Sequence, residues 1–317
     1  MPSSIEVICA IISDKNLDQY ISNLNSPERT FRQGRSAVAR SLFAALNYQG
    51  VSDAAAEGWL AKQGGPDFPR IFRWLESSKR KCSLIANTQS LEACGFRKLA
   101  KTCAKPGNQS RCMIPRISAR NGRLSRAAIG LASFMLEYAP DGIPEWIDRH
   151  RQNAGSERTS GEIADALIEE FSLVPSVSKK VAAMLLSDLL LGAGQVRPEW
   201  FAIGADMVVV DRIVHGVLYR TGALAEYGQQ HTYGPKCYQE QGCANVIRRL
   251  ANFIDARRFN VEYPRVLPRL IQHGIWQHGA LSEAGVCNAV RIPPGKVCKQ
   301  ENCAGFRFCP KVVTSNR

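Results

Sequence analysis

The chain has 317 residues, with 41 Lys or Arg against 28 Asp or Glu, a formal net charge of +13 at pH 7. At 45% hydrophobic and 22% charged residues, the composition excludes wholesale disorder, and the length suits one large or two modest domains with cores of their own. The longest apolar stretch, Val181 to Leu191, contains Ser187 and Asp188 and falls short of the roughly 18 uninterrupted residues of a membrane span, so no membrane segment is expected.

In chain order, Met1 to Ile12 has an apolar run but carries Glu6 and no leading positive charge. That is the wrong arrangement for a secretory signal, and an intracellular location is expected, cytoplasm or nucleoid, or the nucleus in a eukaryote. Helical periodicity predicts an amphipathic helix over 35–47, a mostly buried one over 127–138, and a third over 161–171 capped by Thr159 or Ser160. Helices over 181–191, 211–221 and 244–256 and a short one over 266–273 complete the series. Breaks are expected at 63–69, 106–108, 139–144 and 192–198, where Gly and Pro cluster. Period-two alternation is scarce and no repeat occurs, so the fold class is mainly α.

The charge is concentrated. Between Lys79 and Arg126 stand twelve basic residues and one acid, Glu92, so this window holds +11 of the total. Such a field suits a surface that contacts nucleic-acid backbone, where neutralised phosphates release counterions; Arg97, Lys98 and Lys101 are candidate contacts.

The most informative stretch is Leu173-Val174-Pro175-Ser176-Val177-Ser178-Lys179-Lys180-Val181-Ala182, a turn of small residues between two predicted helices. It resembles the helix-hairpin-helix of the endonuclease III superfamily of DNA glycosylases, which reads Leu-Pro-Gly-Val-Gly, a further residue, Lys and a small helix start. Pro175, Val177, Lys180 and Ala182 match in register. Downstream, Val210 to Gly222 resembles the family's Val-Asp-Thr-His-Val-His-Arg-Val-Leu-Asn-Arg-x-Gly segment through Asp211, Val214, His215, Val217, Leu218, Arg220 and Gly222. Both hairpin glycines are serine here, Ser176 and Ser178, and the span from Lys180 to Asp211 is longer than in that family. Glycine lets backbone N–H groups approach a phosphate, often with a bound monovalent cation, and serine can replace it where φ stays negative.

The resemblance, covering about residues 160 to 311, implies a two-lobed helical glycosylase fold. One lobe would span 28–225, with the hairpin at 174–180 and a basic insertion at 79–126; the other would combine 1–27 with 226–317. It implies a monomer acting in base excision on double-stranded DNA, with hairpin residues Pro175, Ser176, Val177, Ser178 and Lys179 on the backbone and a damaged or modified base flipped out; DNA repair and removal of an unusual modification, such as one on foreign DNA, both stay open. Asp211 would stabilise the oxocarbenium-like sugar or activate a nucleophile. Lys180 would attack the anomeric carbon to form a Schiff base and so confer AP-lyase activity. The first turn of a helix beside Lys179 disfavours further positive charge on it. A monofunctional glycosylase that uses water, a non-catalytic helix-hairpin-helix nucleic-acid-binding protein, and a zinc-stabilised adaptor stay open, as does Lys179 as the nucleophile and Asp211 as a plain helix cap.

Eleven cysteines in an intracellular protein suggest metal ligation rather than disulfides. Cys287, Cys298, Cys303 and Cys309 are separated by ten, four and five residues. Leu270-Ile271-Gln272-His273-Gly274 resembles the segment before the family's iron–sulfur loop, and the last gap matches that loop, which implies a [4Fe–4S] cluster; four thiolates also suit zinc. Cys82, Cys94, Cys103 and Cys112 are a candidate second metal site within the basic window. Cys9, Cys237 and Cys243 read as packing residues, as does His215. His231, His273 and His278 form no ligand set with a carboxylate. Trp200 and Phe201 read as core, with an aromatic wedge as the alternative.

Overall fold

Helix boundaries in this chain follow capping chemistry more closely than apolar periodicity. A computed structural model describes residues 3–24, 26–48, 53–77, 86–94, 117–153, 158–280 and 285–314. Among them all regular structure is helical, so the fold class is mainly α. The α-helices are α1 (Ser4–Ser13), α2 (Glu28–Arg32), α3 (Arg35–Leu46), α4 (Asp53–Gln63), α5 (Phe68–Glu76), α6 (Gly122–Glu137) and α7 (Ile143–Asn153). They continue as α8 (Ser160–Phe171), α9 (Lys179–Gly192), α10 (Pro198–Asp206), α11 (Arg212–Arg220), α12 (Ala223–Tyr227), α13 (Cys243–Ala251) and α14 (Pro268–Gly279). No helix among the described residues is long and apolar enough to cross a membrane.

Three of the expected helices need new limits. Helix α6 starts five residues before the predicted Ala127, because the Asn121 side chain accepts the Leu124 N–H at 3.0 Å and sets the start. Helix α13 stops at Ala251, not Ala256, where Asn252 bonds the Arg248 carbonyl at 3.0 Å. Helix α14 runs on to Gly279 instead of stopping at His273. A Cβ at Gly274 would stand 2.6 Å from Ile12 Cδ1, so this glycine admits a neighbour to the helix rather than ending it. The Pro-containing breaks at 66–69, 139–144 and 192–198 are followed by helices that carry proline in their first turns, α5, α7 and α10, where the missing N–H costs nothing.

The chain divides into two compact units, 26–185 and 1–25 with 186–317. The sequence reading had placed 186–225 with the first. Helices α10 and α11 instead pack on α14, as do α1 and α13, and Val214, Val217 and Leu218 belong to the same core as Leu270, Ile271 and Ile275; burial of these faces moves the segment to the other unit. The boundary therefore falls inside α9, leaving Lys180 in the first unit and Asp211 in the second.

Within 26–185, α6 packs against α3 and α5. Phe134 meets Trp146 and Phe171 edge to face at ring separations of 5.3 and 5.2 Å, an arrangement favoured beyond area burial alone. This cluster fixes α8, whose start is a full capping box between Thr159 and Glu162. In the other unit, Arg269 is buried and bonds Gln272 and, at 3.1 Å, Asp188. His273 stacks on Tyr20 at 4.1 Å, and burial, with the Arg269 charge adding to it, pushes its pKa down to about 4.

Candidate functional site

Helices α8 and α9 are joined by the turn 172–178, so the expected hairpin is formed. Its apolar residues point inward, with Val174 and Pro175 buried and Val177 5% exposed, while Ser178 and Lys179 face solvent. A Cβ at Gly130 would lie 2.4 Å from Pro175 Cδ, so the glycine in α6 lets the hairpin seat against that helix. Arg123, at the edge of the basic window, donates to the Ser176 carbonyl at 3.2 Å. Its charge is therefore held beside the turn.

The condition set for serine at this turn is not met. Ser176 does not keep a negative φ: it sits at +72°, in the left-handed region, at the first glycine position of the resembled motif. The cost for a residue with a Cβ is about 1–2 kcal/mol, and the backbone follows the glycine path all the same. Ser176→Gly should raise stability by about 0.5–1 kcal/mol, the relieved strain less the roughly 0.4–1 kcal/mol of added unfolded-chain freedom. A higher urea midpoint at unchanged slope is the expected reading.

Lys180 lies half-buried in the first turn of α9. Its neighbour Lys179 is ion-paired to Glu169. The pairing engages Lys179 on the hairpin surface and leaves Lys180 as the better candidate nucleophile.

Asp211 is the N-cap of α11. One carboxylate oxygen, Oδ1, accepts the Val214 N–H at 2.8 Å. The residues before it, Met207 to Val210, are buried, and the Tyr238 hydroxyl holds Val210 from both sides, accepting its N–H at 3.0 Å and donating to its carbonyl at 3.1 Å. The capping role is thus present, and the fixed backbone gives the carboxylate a defined direction. Trp200 is core, fully buried, with the Arg197 guanidinium 4.5 Å above its ring.

Cys287, Cys298, Cys303 and Cys309 line one pocket, together with Val7 and Ile11 of α1 and with Arg220. Backbone N–H groups point at two of the sulfurs, Gln300 to Cys298 at 3.5 Å and Lys311 to Cys309 at 3.4 Å, and His278 Nε2 lies 3.5 Å from Cys303. Burial pushes the Cys287 thiol up to about 12. Were the four ionised together as metal ligands, they would call for a positive partner.

A second group was missed by the sequence reading. His215, His231, Cys237 and Cys243 bring their ligand atoms within 4.8 Å of one another and could hold a metal ion. Cys237 and Cys243 are buried, as a packing role requires, yet their sulfurs face imidazoles: His215 Nδ1 is 3.2 Å from Cys243 Sγ and 3.7 Å from Cys237 Sγ, and His231 Nε2 is 3.7 Å from Cys243 Sγ. The Cys243 thiol donates to Cys237, which lowers the Cys237 pKa against the opposing effect of burial and raises that of Cys243. The signal available in the sequence was the equal spacing of 231, 237 and 243; His215, on another helix, gave none.

Cys82, Cys103 and Cys112, with Arg97, Lys98 and Lys101, lie outside the described residues. Cys94 is buried, and its carbonyl accepts from Arg126 at 3.3 Å. Arg120 likewise donates to the Asn47 carbonyl at 3.2 Å, so at the end of the basic window guanidiniums hold backbone together as well as carrying charge. Compared with known proteins, the chain matches no family model, no curated protein and no solved structure.

Proposed function

We propose that the chain is a DNA glycosylase of the helix-hairpin-helix type, which removes a damaged or modified base flipped out of double-stranded DNA. The observation that carries the reading is the hairpin. Its turn buries Val174, Pro175 and Val177 between two helices and leaves Ser178 exposed at the start of α9, where the first N–H groups of a helix can meet a phosphate. A monovalent cation at the turn would complete that contact. Asp211 then supplies the negative charge that stabilises an oxocarbenium-like sugar. The two-lobed glycosylase fold belongs to the same reading.

The Cys287, Cys298, Cys303 and Cys309 set is read as holding a [4Fe–4S] cluster. Support comes from the resemblance of the segment before this loop and from the backbone N–H groups aimed at Cys298 and Cys309, donors of the kind that tune cluster sulfurs. Bound there, the cluster would tie four points of the C-terminal segment together beside Val7 and Ile11 of α1 and Arg220 of α11.

With Lys180 as nucleophile, its amine bonds to the anomeric carbon as the base departs with a proton, and the adduct opens to an imine that permits strand cleavage by β-elimination. Borohydride reduces that imine to a stable amine. Trapping on oligonucleotides bearing a panel of lesions should therefore give a covalent adduct with the wild-type chain and none with Lys180→Ala. Base release without an adduct moves the nucleophile to water; absence of release from every base tested turns the reading toward a binding protein.

A further inference from the structure

The segment 229–241 contains a single buried residue, Cys237. Such a stretch brings only Cys237 and the partly buried Tyr238 to the core, little with which to offset roughly 1–2 kcal/mol of backbone entropy per ordered residue. It is nevertheless closed tightly on itself. Gln229 donates to the Gln241 carbonyl at 2.9 Å, and a Cβ at Gly242 would stand 2.1 Å from the Lys236 carbonyl oxygen. Something other than burial fixes this loop.

We propose that His215 Nδ1, His231 Nε2, Cys237 Sγ and Cys243 Sγ bind a structural zinc ion that staples the loop 229–241 to α11, directly behind Asp211. Tetrahedral zinc with bonds of about 2.3 Å to sulfur and 2.0–2.1 Å to nitrogen separates its ligands from each other by about 3.4–3.8 Å. The measured separations are 3.2, 3.7 and 3.7 Å, with all four atoms within 4.8 Å. Two imidazoles and two thiolates are a donor set for zinc, and four protein ligands close the shell, which marks a structural ion rather than a hydrolytic one. Two ligands come from the loop, His231 near its start and Cys237 in its second half; Cys243 is the first residue of α13, and His215 comes from α11, one turn beyond Asp211.

The consequence for Asp211 follows from what the loop carries. Tyr238, next to the ligand Cys237, brackets Val210 with its hydroxyl. Tyr233 places its ring 5.9 Å from His215 and 5.8 Å from the Arg212 guanidinium, near enough to Asp211 to feel its charge. The zinc thus makes one rigid wall of Tyr233, Arg212 and Asp211. The inference concerns this metal alone and does not depend on the glycosylase reading or on the iron–sulfur set.

The test is metal analysis of the full-length chain by mass spectrometry, with iron and zinc counted separately. One zinc per chain is expected in the wild type, lost in Cys243→Ser and in His231→Asn while iron is unchanged. The drop in zinc affinity should exceed the roughly 10- to 100-fold seen when only an outer partner of a ligand is removed. After zinc removal, Co²⁺ added alone should restore one equivalent with tetrahedral ligand-field bands, read as the difference between cobalt- and zinc-loaded chain so that iron absorbance cancels. Should Cys243→Ser fail to fold, His231→Asn decides, because that imidazole is only half-buried and otherwise bonds just the Thr232 carbonyl. A wild-type chain that neither contains zinc nor takes up Zn²⁺ or Co²⁺ overturns the proposal, and so does zinc retained in His231→Asn. Loss of glycosylase activity with zinc intact bears on the other reading only.

Discussion

Asp211→Asn is expected to lower single-turnover base release by at least about 10²- to 10³-fold while the chain stays folded and still binds DNA. The expectation separates the observed capping role of this side chain from the catalytic one proposed for it. Its Oδ1 caps α11 through the Val214 N–H, and asparagine caps as well as aspartate does, so unfolding free energy should change by less than about 0.5 kcal/mol. Only the negative charge is lost. Charge placed where a cation develops in the transition state is worth about 3–4 kcal/mol in comparable electrostatic sites. Asp211→Ala removes both roles and should cost about 1 kcal/mol of stability in addition to activity. Wild-type release rates in Asp211→Asn would reduce the residue to a cap and remove the carboxylate from the proposed chemistry.

The legible parts of this protein are those whose physics is local. The hairpin could be read because Pro175 and small residues between two apolar helices force a turn, and the Thr159 cap because its reciprocal glutamate stands three residues on. Asp211 could be read as the start of α11 for the same reason. What escaped depends on contacts distant in sequence. The assignment of 186–225 to the C-terminal unit rests on α10 and α11 packing against α14, which periodicity cannot report. The His215, His231, Cys237 and Cys243 group joins two helices and a loop, and its members, taken singly, look like ordinary buried residues. The left-handed φ at Ser176 ran against residue preference, as backbones shaped for a ligand often do.

Cys287→Ala and Cys309→Ala should each remove all of the roughly four iron atoms per chain expected of a [4Fe–4S] cluster and abolish the visible absorbance. They should also release the C-terminal segment. Residues 285–314 form no helix, and Ile292 is the only apolar side chain among them that is fully withdrawn from solvent. Apart from it, only partly buried groups such as Val286, Phe306 and Val312 pack inward, too little apolar burial to offset by itself the entropy cost of ordering such a stretch. Arg220 offsets part of that by donating to the Ile292 carbonyl at 2.9 Å and to Thr314 at 3.2 Å, and its own carbonyl accepts the Val312 N–H at 3.0 Å. A handful of such bonds at about 1 kcal/mol each does not close the gap. A metal centre bound through four thiolates contributes on the order of 10 kcal/mol to folding and more to local order. Trypsin should then cut the variants at Arg291, Lys296, Lys299 and Arg307, all exposed, at rates the wild-type chain does not show. The remainder of the C-terminal unit, with α14 at its centre, should survive as a resistant fragment. Iron retained in both variants would place it away from these cysteines, and zinc at one equivalent in the wild type that both variants lose would replace the cluster with a zinc centre at the same four.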